Sequence, residues 1–148
     1  MKIQKTELAA KLNQIKGVVP KKTTMPILQG ILVKEGYLIA NNLEMTVKAK
    51  LEGTEDECFI IPERAFDLIN NLPDGEIDIT ISGGNTMTIK ADKIKNKYQT
   101  MDPGPFPVSD IEGEGSEFTI KAGLLLESVR RVSYAIPQQG GNATIHMR

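Results

Sequence analysis

Apolar and polar positions along the chain change period several times, and each change marks an element. Leu8, Leu12 and Ile15 fall four and three residues apart, the spacing of one helix face, with Thr6 as N-cap and Gly17 as stop. A loop over 18–25 contains Pro20 and Lys21-Lys22 and leads into Pro26-Ile-Leu-Gln-Gly-Ile-Leu-Val33, dense enough in apolar residues for a buried strand. The turn Glu35-Gly36 precedes a strand over Tyr37 to Ala40. Asn41-Asn42 turns again before Met45 to Leu51, where alternation places Met45, Val47, Ala49 and Leu51 on one face.

The same order then returns. Cys58 to Pro62 reads as a strand and Glu63 to Leu72 as a helix with Ala65, Ile69 and Leu72 on one face, ended by Pro73-Asp74-Gly75. Strands follow over Ile77 to Ile81, Met87 to Ala91 and Ile94 to Thr100. Setting Ile3 on Ile60, Leu12 on Ile69 and Ile15 on Leu72 holds one offset of 57, so a β-α-β-β-β unit occurs twice. Two such units predict an α+β fold with the helices on one side of antiparallel sheets.

Asp102-Pro-Gly-Pro-Phe-Pro107 can be neither helix nor central strand, and with the acidic residues up to Glu117 it predicts a linker or domain edge. Beyond it the order starts a third time. Glu117 to Ile120 is extended, Ala122 to Ile136 is helical with Leu125, Val129 and Val132 on one face, and Pro137 to Asn142 is a loop before a stub over 143–148. That helical face needs a covering surface that the remaining residues do not supply. The expected organisation is one domain over 1–112, then a linker and the incomplete start of a second domain over 113–148.

Composition narrows the function classes. The chain has 148 residues, 40% hydrophobic and 25% charged, and its 18 Lys+Arg against 19 Asp+Glu leave a net charge of −1. That excludes a disordered chain, a membrane bundle and a uniformly basic nucleic-acid binder. Met1-Lys-Ile-Gln-Lys has charges where a signal peptide carries its apolar run, and no stretch approaches the roughly 18 apolar residues of a span, so a cytoplasmic location is expected. Catalytic chemistry is thin. Gly83-Gly84 lies between strands with no Lys-Ser/Thr after it, a hairpin turn and not a phosphate cradle. His146 has no ligand partner at metal spacing, and Cys58 reads as a packed thiol without a base. No enzyme, metal or cofactor is expected.

Charge position is more telling than the total. Residues 1–22 hold Lys2, Lys5, Lys11, Lys16, Lys21 and Lys22 against Glu7 alone, while 52–57 and 102–117 are purely acidic. Separated signs allow one face to meet phosphates without sequence readout. The candidate contacts are Lys11, Lys16, Lys21, Lys22, Arg130 and Arg131. Lys11 and Lys16 flank the apolar stripe of their helix, and both arginines lie opposite the apolar face of theirs.

Thr23-Thr-Met-Pro-Ile-Leu-Gln-Gly30, Asn42-Leu-Glu-Met-Thr46, Ile61-Pro-Glu-Arg-Ala-Phe66 with Leu72-Pro-Asp-Gly75, and Phe106-Pro before Glu117-Phe-Thr-Ile120 closely resemble the N-terminal domain of the bacterial sliding clamp, the beta subunit of DNA polymerase III. The resemblance implies the DNA clamp fold, three similar domains per chain, and two chains closed head to tail with helices lining the hole. Such a ring encircles duplex DNA and tethers the replicative polymerase, with no reaction of its own. By the same resemblance Lys22, with Lys21 beside it, matches a DNA-contact position. Tyr98 and the adjoining second helix, with Asn70 and Asn71, match the side that meets the partner chain. The second helix lacks the family's basic residues near Asn70-Asn71, and residues 137–148 diverge. The pocket for polymerase and clamp-loader peptides lies between the family's second and third domains, outside this sequence. The alternative is a truncated or freestanding clamp-like module that does not enclose DNA.

Overall fold

The computed structural model describes residues 1–108 and 118–136, and the chain divides into two compact units, Met1–Asp110 and Ile111–Arg148. His146, the loop and stub after Ile136, and the boundary expected at 112/113 lie outside the described residues.

In the first unit the order is β1 (Lys2–Gln4), α1 (Lys5–Ile15), β2 (Gly30–Lys34), β3 (Tyr37–Asn41), β4 (Thr46–Lys50), β5 (Cys58–Pro62), α2 (Phe66–Asn71), β6 (Glu76–Ser82), β7 (Thr86–Ala91) and β8 (Ile94–Gln99). The strands form two antiparallel sheets, β1-β6-β7-β8 and β5-β2-β3-β4. The two repeats therefore exchange their first strands. Ile3 of β1 pairs with Ile77 in the second repeat, and Ile60 of β5, 57 residues after Ile3, pairs with Leu32 in the first. Each sheet is incomplete without the other repeat, which makes the doubled unit one cooperative body.

One core joins both helices to both sheets. Leu8, Leu12 and Ile15 of α1 and Phe66 and Ile69 of α2 pack with Ile31, Val33 and Ile61 from one sheet and Ile77, Ile79 and Ile89 from the other. A smaller cluster lies on the far face of the β2 sheet, where Leu32, Ile39 and Ile60 meet Ile27, Leu28 and Phe106. Burial on both faces explains the unbroken apolar runs Ile31-Leu-Val33 and Phe59-Ile-Ile61. The other sheet is buried on one face only, and β6 alternates accordingly: Ile77 and Ile79 are buried while Thr80 is exposed.

Several local expectations are corrected. Thr6 caps nothing: α1 begins at Lys5 behind an extended Gln4, with no side-chain cap. Gly17 does not stop the chain, which continues as a 3-10 turn over Lys16–Val18. Pro26–Gln29 is also a 3-10 turn and not strand, because Pro26 opens it and it folds Ile27 and Leu28 onto the second cluster. The second helix likewise opens as a 3-10 turn, Glu63–Ala65, before Phe66. Met45 is exposed, since β4 begins one residue later. Cys58 is exposed at the outer end of β5. Residues 102–107 are no free linker: Phe106 is buried and the Asn41 amide donates to the Pro107 carbonyl at 3.0 Å.

The second unit contributes α3 (Ala122–Val132) and a 3-10 turn over Ser133–Ala135. Phe118 to Ile120 pairs as a strand with no other described residue. Both elements reproduce α1 and its following turn at an offset of 117, Lys5 to Ala122, Ile15 to Val132 and Val18 to Ala135. The capping bonds match too: Lys16 N–H to the Leu12 carbonyl in one, Ser133 N–H to the Val129 carbonyl in the other. The buried α1 positions Leu8, Leu12 and Ile15 correspond to Leu125, Val129 and Val132, which are 48%, 50% and 61% exposed.

Candidate nucleic-acid interface

The two helices of the first unit touch across the repeat. Asn13 Nδ2 donates to Asn70 Oδ1 at 2.9 Å, joining residues that are equivalent at the offset of 57, and Asn70 Nδ2 donates back to the Phe66 carbonyl at 3.0 Å. Asn70 is thus committed to holding the helix pair. Asn71, exposed beside it, donates to the Asp67 carbonyl at 2.8 Å. With the apolar positions turned into the core, α1 presents Thr6, Glu7, Ala10, Asn13 and Gln14 to solvent, and α2 presents Asp67 and Asn71. Glu7 and Asp67 make that surface acidic, and Lys11 lies half-buried at its flank.

The lysines sort by partner. Lys2 pairs with Glu76 at 3.9 Å, Lys5 with Asp74 at 3.2 Å, Lys34 with Glu35 at 3.3 Å and Lys50 with Glu52 at 3.5 Å. Lys11, Lys16, Lys21 and Lys22 form no ion pair with another described residue. Lys11 is half-buried on the flank of α1. Lys16 lines an open cleft of about 290 Å³ with Glu63 and Asp67, so two carboxylates temper its field. Lys21 and Lys22 are exposed in the loop before Pro26, braced where Gln29 Nε2 donates to the Lys21 carbonyl at 3.3 Å. Arg130 and Arg131 belong to the second unit, and Arg131 is held by Glu127 one turn earlier at 2.6 Å.

Tyr98 is half-buried on β8, the free edge of its sheet, and packs against the main core. Its orientation turns Lys95 and Lys97 to the opposite, solvent side, and Lys95 stands beside Lys90 of β7. Lys95 and Lys97 are absent from the expected contacts, although the alternation Ile94-Lys-Asn-Lys-Tyr98 carries the signal. Among the described residues no cluster of three His, Cys, Asp or Glu could hold a metal ion, and no helix is long and apolar enough to cross a membrane. The Gly83-Gly84-Asn85 segment is the hairpin between β6 and β7.

Residues 1–110 match the family described as DNA polymerase III beta subunit, N-terminal domain. The chain belongs to this family. The beta sliding clamp of Pseudomonas aeruginosa is 30% identical over 147 residues, covering 93% of this chain and 40% of that protein. A solved structure of the DNA polymerase III subunit beta from the same species superposes with a TM-score of 0.83 at 29% identity, covering 98% of this chain and 42% of that one. The sliding clamp of Caulobacter crescentus gives a TM-score of 0.83 at 22% identity, covering 97% and 41%, a likeness of fold. The chain spans about two fifths of the length of the curated relatives it matches.

Proposed function

We propose that this chain contributes the first clamp domain of a bacterial sliding clamp, a processivity factor of DNA replication that encircles duplex DNA and tethers the replicative polymerase without catalysing a reaction. The observation that carries the reading is the family match over residues 1–110, on a unit whose two helices lie together in front of both sheets. In this reading residues 1–112 are the first domain, and 113–148 are the linker and opening of a second. The helices face the duplex. Lys21 and Lys22 are the leading phosphate contacts, with Lys11, Lys16, Arg130 and Arg131 as further candidates, and the contact is independent of sequence. Tyr98, Asn70 and Asn71 lie toward a second chain in a cytoplasmic homo-oligomeric ring. Polymerase and clamp loader engage regions of the longer relatives that this sequence does not span.

The test is duplex binding against salt concentration. The chain alone should bind weakly, without sequence preference, and lose binding steeply as salt rises. Lys21→Glu/Lys22→Glu should remove more affinity than Lys90→Glu/Lys93→Glu, and each lost phosphate contact should lower the salt slope by about one unit. If the Lys90/Lys93 reversal is the more damaging, the DNA-facing side has been placed wrongly. A chain that binds no duplex at low salt supports the freestanding module.

A further inference from the structure

We propose that the α-amino group of Met1 is a structural latch between the two sheets of the first unit, so that an acyl group placed on it loosens both. The inference is independent of the clamp reading, because it rests on the contacts of one group. Met1 and Ile79 exchange both backbone bonds: the Met1 ammonium donates to the Ile79 carbonyl at 2.7 Å, and the Ile79 N–H donates to the Met1 carbonyl at 2.8 Å. That closely spaced pair carries the β1–β6 ladder one residue beyond Lys2 and Asp78. The same ammonium lies 3.1 Å from Glu57 Oε1. Glu57 immediately precedes β5, an outer strand of the other sheet, and its own N–H donates to the Thr54 carbonyl at 3.1 Å. One charged group therefore ties a strand of each sheet.

The chemistry requires an ammonium. With three N–H donors and a full charge it serves the ladder and the carboxylate together, and the Met1 side chain, packed against the main core, fixes where it stands. An acylated nitrogen is uncharged and keeps one N–H, which the ladder can still use, so the loss falls on the ion pair with Glu57. Neighbouring charges are committed elsewhere. Lys2 pairs with Glu76 at 3.9 Å, and Glu55, in the same loop as Glu57, accepts from the Gly53 N–H at 3.2 Å. Bonds between charged partners are stronger than neutral ones, and the 34% exposure of Glu57 keeps this gain moderate.

The experiment compares native-state hydrogen exchange of the full chain in four forms, with a free or an acetylated α-amine, each as wild type and as Glu57→Gln. Acetylation should speed exchange of the Ile79 amide and of the β5 amides by about two- to tenfold. Glu57→Gln should do the same in the free-amine chain and add nothing in the acetylated one, since either change removes the same ion pair. Faster exchange confined to the β1–β6 ladder would mean that the strand end frays without a link to the other sheet, and would overturn the latch. Unchanged exchange in the acetylated chain, or effects of the two changes that simply add, would overturn it as well.

Discussion

Residue by residue, the positions that decide the fold are those where a side chain is impossible or out of place. Gly30 opens β2 directly against β5, and a methyl group there would lie 2.4 Å from Ile60 Cγ2 and 3.0 Å from the Ile61 carbonyl oxygen. Ile60 is fully buried and β-branched, so the clash cannot be relieved by a rotamer change. Gly30→Ala should therefore cost about 1–3 kcal/mol, read as a lowered denaturant midpoint with unchanged slope; an unaltered midpoint would show that the two strands separate easily. Leu43 poses the converse case. It sits at φ +74° and is 60% exposed, held there by its N–H donating to Asn41 Oδ1 at 2.6 Å, while Asn41 Nδ2 donates to Thr46 Oγ1 at 2.8 Å. A left-handed leucine costs about 1–2 kcal/mol, and glycine gives back about 0.5–1 kcal/mol in chain entropy. Leu43→Gly should accordingly stabilise the unit by up to about 1 kcal/mol, and a lower midpoint would mean that the leucine packs on something. The Asn-Asn turn was legible from composition. The strain at Leu43 was not, because nothing in Asn42-Leu-Glu-Met distinguishes which residue takes the positive φ.

Among elements, legibility followed how strongly one period dominates. The buried faces of α1 and α2 stand where i, i+4 spacing places them because each buries one clear stripe, and β6 and β7 lie where their apolar residues predict, whereas β2 and β3 are buried on both faces and show as apolar density rather than alternation. The failures share a cause. Pro26–Gln29 and residues 101–108 are irregular segments buried against the far face of the β2 sheet, and an apolar run that serves a second cluster has no period of its own. The same physics sets α3 apart. It copies α1 to the residue, yet Leu125, Val129 and Val132 are exposed where Leu8, Leu12 and Ile15 are buried. An isolated helix of eleven residues is marginal in water, so its backbone should exchange freely in the isolated chain. Hydrogen exchange should show amides of Leu125 to Val132 open well before those of Ile31 to Val33, which are tied into both core clusters. Equal protection in a monomer would mean that α3 is covered, and equal protection in an oligomer would place a second chain on it.

On the scale of the whole molecule, β8 is an outer strand of its sheet, unpaired on one side among the described residues. An unpaired edge invites pairing, and lysine is a common guard against it. Here Tyr98 faces the core while Lys95 and Lys97 line the solvent side, so antiparallel pairing of two β8 strands about Asn96 would set lysine against lysine. In the proposed ring this edge meets a different domain of the second chain. If that proposal holds, a like-charge guard would select against the identical edge and for a strand with acidic residues at the facing positions. The candidate site was thus only half legible in the sequence. Tyr98 came from family resemblance, whereas the alternation of Lys95 and Lys97 with Tyr98 gains its meaning once the structure shows that Tyr98 packs on the core. Mixing wild-type chain with a Lys95→Glu/Lys97→Glu variant should produce pairing that neither shows alone, because each cross-strand lysine–glutamate pair is worth about 0.2–1 kcal/mol relative to a neutral pair and like charges lose a similar amount. The measurement is line broadening and shifts of β8 amide resonances in a titration of one chain with the other, repeated at high salt, where screening should remove the preference. If the mixture behaves as the separate chains do, Lys95 and Lys97 do not govern the edge, and the selection must lie with Tyr98 and the apolar side of the strand.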